Sequence, residues 1–91
     1  MTGVQIHIPP FLQPYAEKTR QDYVNGGTIM ECLKKLVERF PSLRSQLFNT
    51  EDKLRRDLNI FLNDSRVHPH EFSHTVKEGD KLYIAHVIAG G

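Results

Sequence analysis

Ninety-one residues, 38% of them hydrophobic and 25% charged, suffice for one globular domain with a modest core. A formal charge of +1 excludes the strong field that gathers nucleic acid or an anionic membrane surface. The single cysteine, Cys32, excludes an internal disulfide and suits a reducing compartment. No apolar run approaches the ~20 residues that span a bilayer. The opening Met1-Thr2-Gly3-Val4 places no basic stretch ahead of an apolar one, so a cytosolic chain without a leader is expected.

Val4, Ile6 and Ile8 alternate with Gln5 and His7, the pattern of a half-buried strand. Pro9-Pro10 stops it, because proline has no N–H to give a ladder. Residues 11–18 read as a loop. Thr19 to Val24 is a second strand, closed by Asn25-Gly26-Gly27. Thr28 and Glu31 then stand in a T-x-x-E capping box. Ile29, Leu33, Leu36, Val37 and Phe40 follow at helical spacing, and Pro41 ends the helix. Ser42 to Phe48 is a further short helical turn, with Leu43, Leu47 and Phe48 toward the core.

From Asp57 the period returns to two. Leu58, Ile60 and Leu62 alternate with Asn59, Phe61 and Asn63. Asn63-Asp64-Ser65-Arg66 is a turn, and Val67 begins a short return strand. Residues 68–74 are polar and irregular, and Glu78-Gly79-Asp80 is another turn. Lys81 to Ile88 forms the last strand, with Leu82, Ile84 and Ile88 on one face and Tyr83, Ala85 and Val87 on the other. The order is strand, strand, helix, helical turn, strand, strand, strand. One main helix covers one face of a four- to five-stranded sheet, which is an α+β arrangement. Residues 1–87 are expected to form one domain and 88–91 a tail.

That tail, Ile88-Ala89-Gly90-Gly91, ends in two residues without side chains. Glycine lets another backbone or a nucleotide approach closely. Such a tail fits an enzyme that reaches a terminal carboxylate through a narrow channel.

These pieces resemble the ubiquitin-like β-grasp fold and, within it, the ThiS/MoaD-like sulfur carriers. The resemblance is carried by Leu58-Asn59-Ile60-Phe61-Leu62-Asn63-Asp64, by Val76-Lys77-Glu78-Gly79-Asp80-Lys81-Leu82-Tyr83-Ile84, and by Val87-Ile88-Ala89-Gly90-Gly91. Ile8-Pro9-Pro10-Phe11-Leu12-Gln13-Pro14 and Leu54-Arg55-Arg56 are similar to carriers that serve cysteine biosynthesis. The resemblance implies a carrier rather than an enzyme, with no permanently bound cofactor. An E1-like enzyme would adenylate Gly91 with ATP, and sulfur would then replace AMP to leave a thiocarboxylate. A pyridoxal-phosphate-dependent acceptor enzyme would use that sulfur for cysteine or methionine synthesis, and a metalloprotease would release the product.

Rival roles are the small subunit of molybdopterin synthase, thiamine, quinolobactin or tRNA thiolation, a protein modifier joined to lysines through Gly91, and a non-covalent adaptor. On the β-grasp reading, Phe61, Tyr83, Ala85 and Val87 form a partner-binding patch beside the tail on the face away from the helix.

Three other groups carry potential chemistry. His68, His70 and His74 fall within seven residues but lack an obvious fourth ligand, so a solvated loop is expected and no metal. Cys32 lies on the helix bordering the core, where a structural role is expected. Arg55-Arg56 is the one basic pair placed to meet an acidic patch on the activating enzyme.

Overall fold

The computed structural model describes residues 3–86. Five strands, β1 (Val4–His7), β2 (Gln21–Val24), β3 (Leu58–Leu62), β4 (Ser65–Val67) and β5 (Lys81–His86), form one mixed sheet in the order β2-β1-β5-β3-β4. β1 and β2 make an antiparallel hairpin, β1 runs parallel to β5, and β3 runs antiparallel to both β5 and β4. The parallel pair needs a crossover, which α1 (Ile29–Arg39) and α2 (Arg44–Leu47) provide. This is the expected β-grasp arrangement, with β5 at the centre.

The alternation read from the sequence is the alternation of burial. Val4, Ile6, Ile60, Leu82 and Ile84 join Ile29, Leu33, Leu36 and Val37 of α1 in one core. Full burial of a leucine such as Leu33 or Leu36 stabilises the fold by about 1.5–3 kcal/mol. Pro9-Pro10 ends β1 as expected, and the Ile8 N–H, one pair beyond the β1–β2 ladder, still donates to the Arg20 carbonyl at 2.8 Å. The expected loop at 11–18 holds a 3₁₀ turn, Gln13–Ala16, that sends Leu12 and Ala16 into the core.

Thr28 caps α1 as expected, its Oγ1 accepting the Glu31 N–H at 3.1 Å. The reciprocal half differs from a capping box. Glu31 Oε1 accepts from the Gly27 N–H at 2.7 Å, one residue earlier than the cap, because the chain between β2 and α1 folds that amide toward the first turn. The next free amides find carbonyls of a distant loop: Ile29 donates to His74 at 3.2 Å and Met30 to Phe72 at 2.9 Å. The helix N-terminus is thereby closed by its own chain.

The segment 68–74 is more ordered than its composition suggests. Pro69–Glu71 forms a 3₁₀ turn in which Glu71 Oε1 accepts the His68 N–H at 2.9 Å, and Phe72 enters the core. The turn at Asn63 is also tighter than expected. Ser65 and Arg66 already belong to β4, whose Val67 ends the strand opposite Ile60. No helix among the described residues is long and apolar enough to cross a membrane.

Candidate functional site

The face of the sheet away from α1 carries one continuous row. Gln21 of β2, His7 of β1, Tyr83 of β5, Phe61 of β3 and Arg66 of β4 are register partners in succession. Phe61 and Tyr83 therefore stand directly opposite each other at the middle of the sheet, and Asn59 faces Ala85 in the neighbouring pair. All of Phe61, Tyr83 and Ala85 are half-buried. The three described members of the expected patch are thus brought together. Val87, Ile88, Ala89, Gly90 and Gly91 lie outside the described residues.

The face is less purely apolar than the alternation implied. The His7 ring stacks on Tyr83 with centroids 4.4 Å apart and planes 16° from parallel. His7 Nε2 lies 2.9 Å from Gln5 Oε1, while Gln5 Nε2 donates to the Tyr23 hydroxyl at 3.1 Å. Since Gln5 offers His7 an oxygen, His7 donates its Nε2–H. Partial burial lowers the His7 pKa below its usual value, and the Lys81 charge adds to the effect. The neutral imidazole so favoured leaves Nδ1 as an acceptor on an otherwise aromatic surface. Period-two placement of Gln5 and His7 was the sequence signal for this polar edge; its stacking on Tyr83 depends on the pairing of β1 with β5.

At the end of β5 a second aromatic pair appears. Phe11 stacks on His86 with centroids 3.8 Å apart and planes 17° from parallel. Phe11 and Tyr15 are the large hydrophobic residues that stay exposed among those described, at 36% and 40%. Both belong to the segment after β1, which ends at the same edge of the sheet as β5 because the two strands run parallel.

Cys32 is fully buried, and burial, helped by the Glu31 and Asp80 charges, pushes its thiol up to about 11. The carboxyl of Glu71 is held below its usual range, chiefly by the His68 amide and then by the neighbouring histidines. Among the described residues no three His, Cys, Asp or Glu side chains come together to hold a metal ion. Arg55 pairs with Asp57 at 3.0 Å, and Arg44 pairs with Asp52. A concavity of about 670 Å³ runs between these two arginines and Phe48 and includes no described residue of the open sheet face.

Residues 10–91 match a family model described as the ThiS family. No curated protein matches. Among solved structures, a chain of the Amycolatopsis orientalis BexX/CysO complex is similar at 29% identity and a TM-score of 0.85, covering 98% of this chain and 100% of that one. Mycobacterium tuberculosis CysO is similar at 22% identity and a TM-score of 0.84, over 94% and 100% of the two chains. Small archaeal modifier protein 1 of Methanosarcina acetivorans shares 21% identity at a TM-score of 0.83, over 100% and 99%.

Proposed function

The chain belongs to the ThiS family, and on that premise we propose that it carries sulfur as a thiocarboxylate on Gly91. The observation that supports this reading best is the reach of the family match, which runs from the segment after β1 through the terminal Gly90-Gly91 pair. The chain acts as a co-substrate in the cytosol, where Cys32 stays reduced.

The carboxylate of Gly91 is ionised at neutral pH and resists nucleophiles. An E1-like enzyme overcomes this with ATP. A Gly91 oxygen attacks the α-phosphorus, pyrophosphate leaves, and an acyl adenylate forms. Hydrosulfide, or its equivalent on a donor, adds to the carbonyl carbon. The bond to AMP breaks, a proton is released, and the thiocarboxylate remains. Its charge rests on a soft sulfur, so it is nucleophilic at pH 7 without a neighbouring base. The carrier's own residues contribute recognition. Phe61, Tyr83 and Ala85, with Val87 beyond them, form the docking face, and Ile88, Ala89, Gly90 and Gly91 the thin tail.

The acceptor we favour is a pyridoxal-phosphate-dependent enzyme that takes the sulfur onto an activated serine or homoserine derivative, followed by a metalloprotease that frees the product. The segments 8–14 and 54–64 support the cysteine-type assignment over molybdopterin synthesis. Intact-protein mass spectrometry on the chain from its native cells tests the reading. One oxygen replaced by sulfur, lost when Gly91 is deleted, is the expected result. An unmodified mass after incubation with ATP, sulfide and the E1-like enzyme overturns it. Heavier conjugates in denatured extract would instead assign a protein modifier.

A further inference from the structure

We infer that Phe11 and His86 form a clasp that aims the tail, making both positioning residues for activation at Gly91; this rests on the sulfur-carrier reading. The ladder between β1 and β5 ends at His7 and Tyr83, three residues before the end of β5. On its other side β5 stays paired to β3 up to Leu58 and His86. Beyond Tyr83 the strand therefore loses one of its two neighbours, because Pro9, next after Gln5 and His7 on the side of β1 that faces β5, has no N–H to give. Phe11 stands at this gap and stacks on the last residue of the strand.

Phe11 gains little from the core, since more than a third of it remains exposed. Its place is nevertheless set from below. Leu12 and Ala16 are fully buried, the Leu12 N–H donates to the Pro9 carbonyl at 2.9 Å, and Gln13 Nε2 donates to the Ile8 carbonyl at 3.0 Å. A rigid turn thus holds an exposed aromatic ring against the last described residue of β5. His86 lies five positions before Gly91, so a small change of direction there is multiplied over the length of the tail.

Docking and threading are separable in such a carrier. The open sheet face sets how tightly the activating enzyme holds it. The clasp sets how often a docked carrier presents Gly91 to ATP. Loss of the clasp should then lower kcat for adenylate formation and leave KM nearly unchanged.

The test is pyrophosphate release by the E1-like adenylating enzyme from the same cells, with the full-length carrier as the varied substrate. Phe11→Ala and His86→Ala should each reduce kcat by about three- to tenfold, the range an aromatic pair supplies, with KM within about twofold. The double variant should be no worse than either single one, because the two rings act as one unit. Phe11→Tyr, which keeps the stack, should restore kcat. Cooperative thermal unfolding of each variant controls for the fold. An unchanged kcat, additive losses, or an effect confined to KM overturns the clasp. Absence of pyrophosphate release with the unaltered carrier overturns the sulfur-carrier reading instead.

Discussion

Asn63 and Asp80 are 17 residues apart and hydrogen-bonded, Nδ2 of Asn63 donating to Oδ1 of Asp80 at 3.3 Å. The pair joins two turns. Asn63 exchanges bonds with Lys81, its N–H donating to the Lys81 carbonyl at 2.7 Å and its Oδ1 accepting the Lys81 N–H at 3.1 Å. Asp80 Oδ2 accepts the Lys77 N–H at 2.9 Å, and its carbonyl accepts the Gln5 N–H at the same distance. This one buried residue therefore ties the start of β5 to β1 through its backbone carbonyl and to the Asn63 turn through its carboxylate.

Asp80→Ala strands the Lys77 amide and the Asn63 amide group. It should cost about 1–3 kcal/mol of stability, read from the midpoint of urea unfolding. The open face lies on other residues, so activation of the folded variant at low temperature should be unaltered.

Phe61→Ala should separate binding from folding. The side chain is only half-buried, so its removal should cost roughly 2 kcal/mol, about half the loss for a fully buried Phe, and the variant should stay folded. At the centre of the proposed docking face the same change should raise KM for an E1-like enzyme about tenfold. This signature in KM is the opposite of that expected for Phe11→Ala.

Cys32 should be inert in the fold. Its thiol, raised to about 11 from an ordinary value near 9, is protonated at neutral pH and buried. Iodoacetamide at pH 8 should label the urea-unfolded chain and leave the native chain unmodified on the same timescale. The raised pKa also fixes a sign. The unfolded thiol ionises first, so this contribution to stability is full below pH 9 and lost as the pH climbs toward 11. Unfolding midpoints across that window measure it.

His7 should titrate below its ordinary range. Burial is the larger cause and Lys81 the second, so Lys81→Gln should raise the His7 pKa partway back toward 6.5 in an NMR titration. Because the folded value is depressed, stability tied to His7 is present above pH 6.5 and falls as the pH drops through the folded pKa.

The elements were legible where one face of a segment meets the core. Val4 to Ile8, Leu58 to Leu62 and Lys81 to Ile84 declared themselves by period two, and Ile29 to Val37 by helical spacing, because burial selects side chains locally. Phe61, Tyr83 and Ala85 were legible for the same reason from the other side of the pleat. Three features were not. Phe72 enters the core from a polar stretch through a turn that Glu71 closes. Asp80 is buried by groups drawn from β1 and the Asn63 turn. Phe11 meets His86 because β1 and β5 are parallel neighbours. Each depends on a contact between distant parts of the chain, and no local period records such a contact.

The central position of β5 has a mechanical consequence. A force applied to the end of β5 at His86 along the strand would act on the middle of the sheet. That pull loads the β1 and β3 ladders in shear, so their hydrogen bonds resist together instead of opening one after another from an edge. A tail attached to β4 or β2 would peel its strand away under far less force. On the proposed sulfur-carrier role, this arrangement would let partner enzymes pull on the C-terminus while the body behind β5 stays rigid.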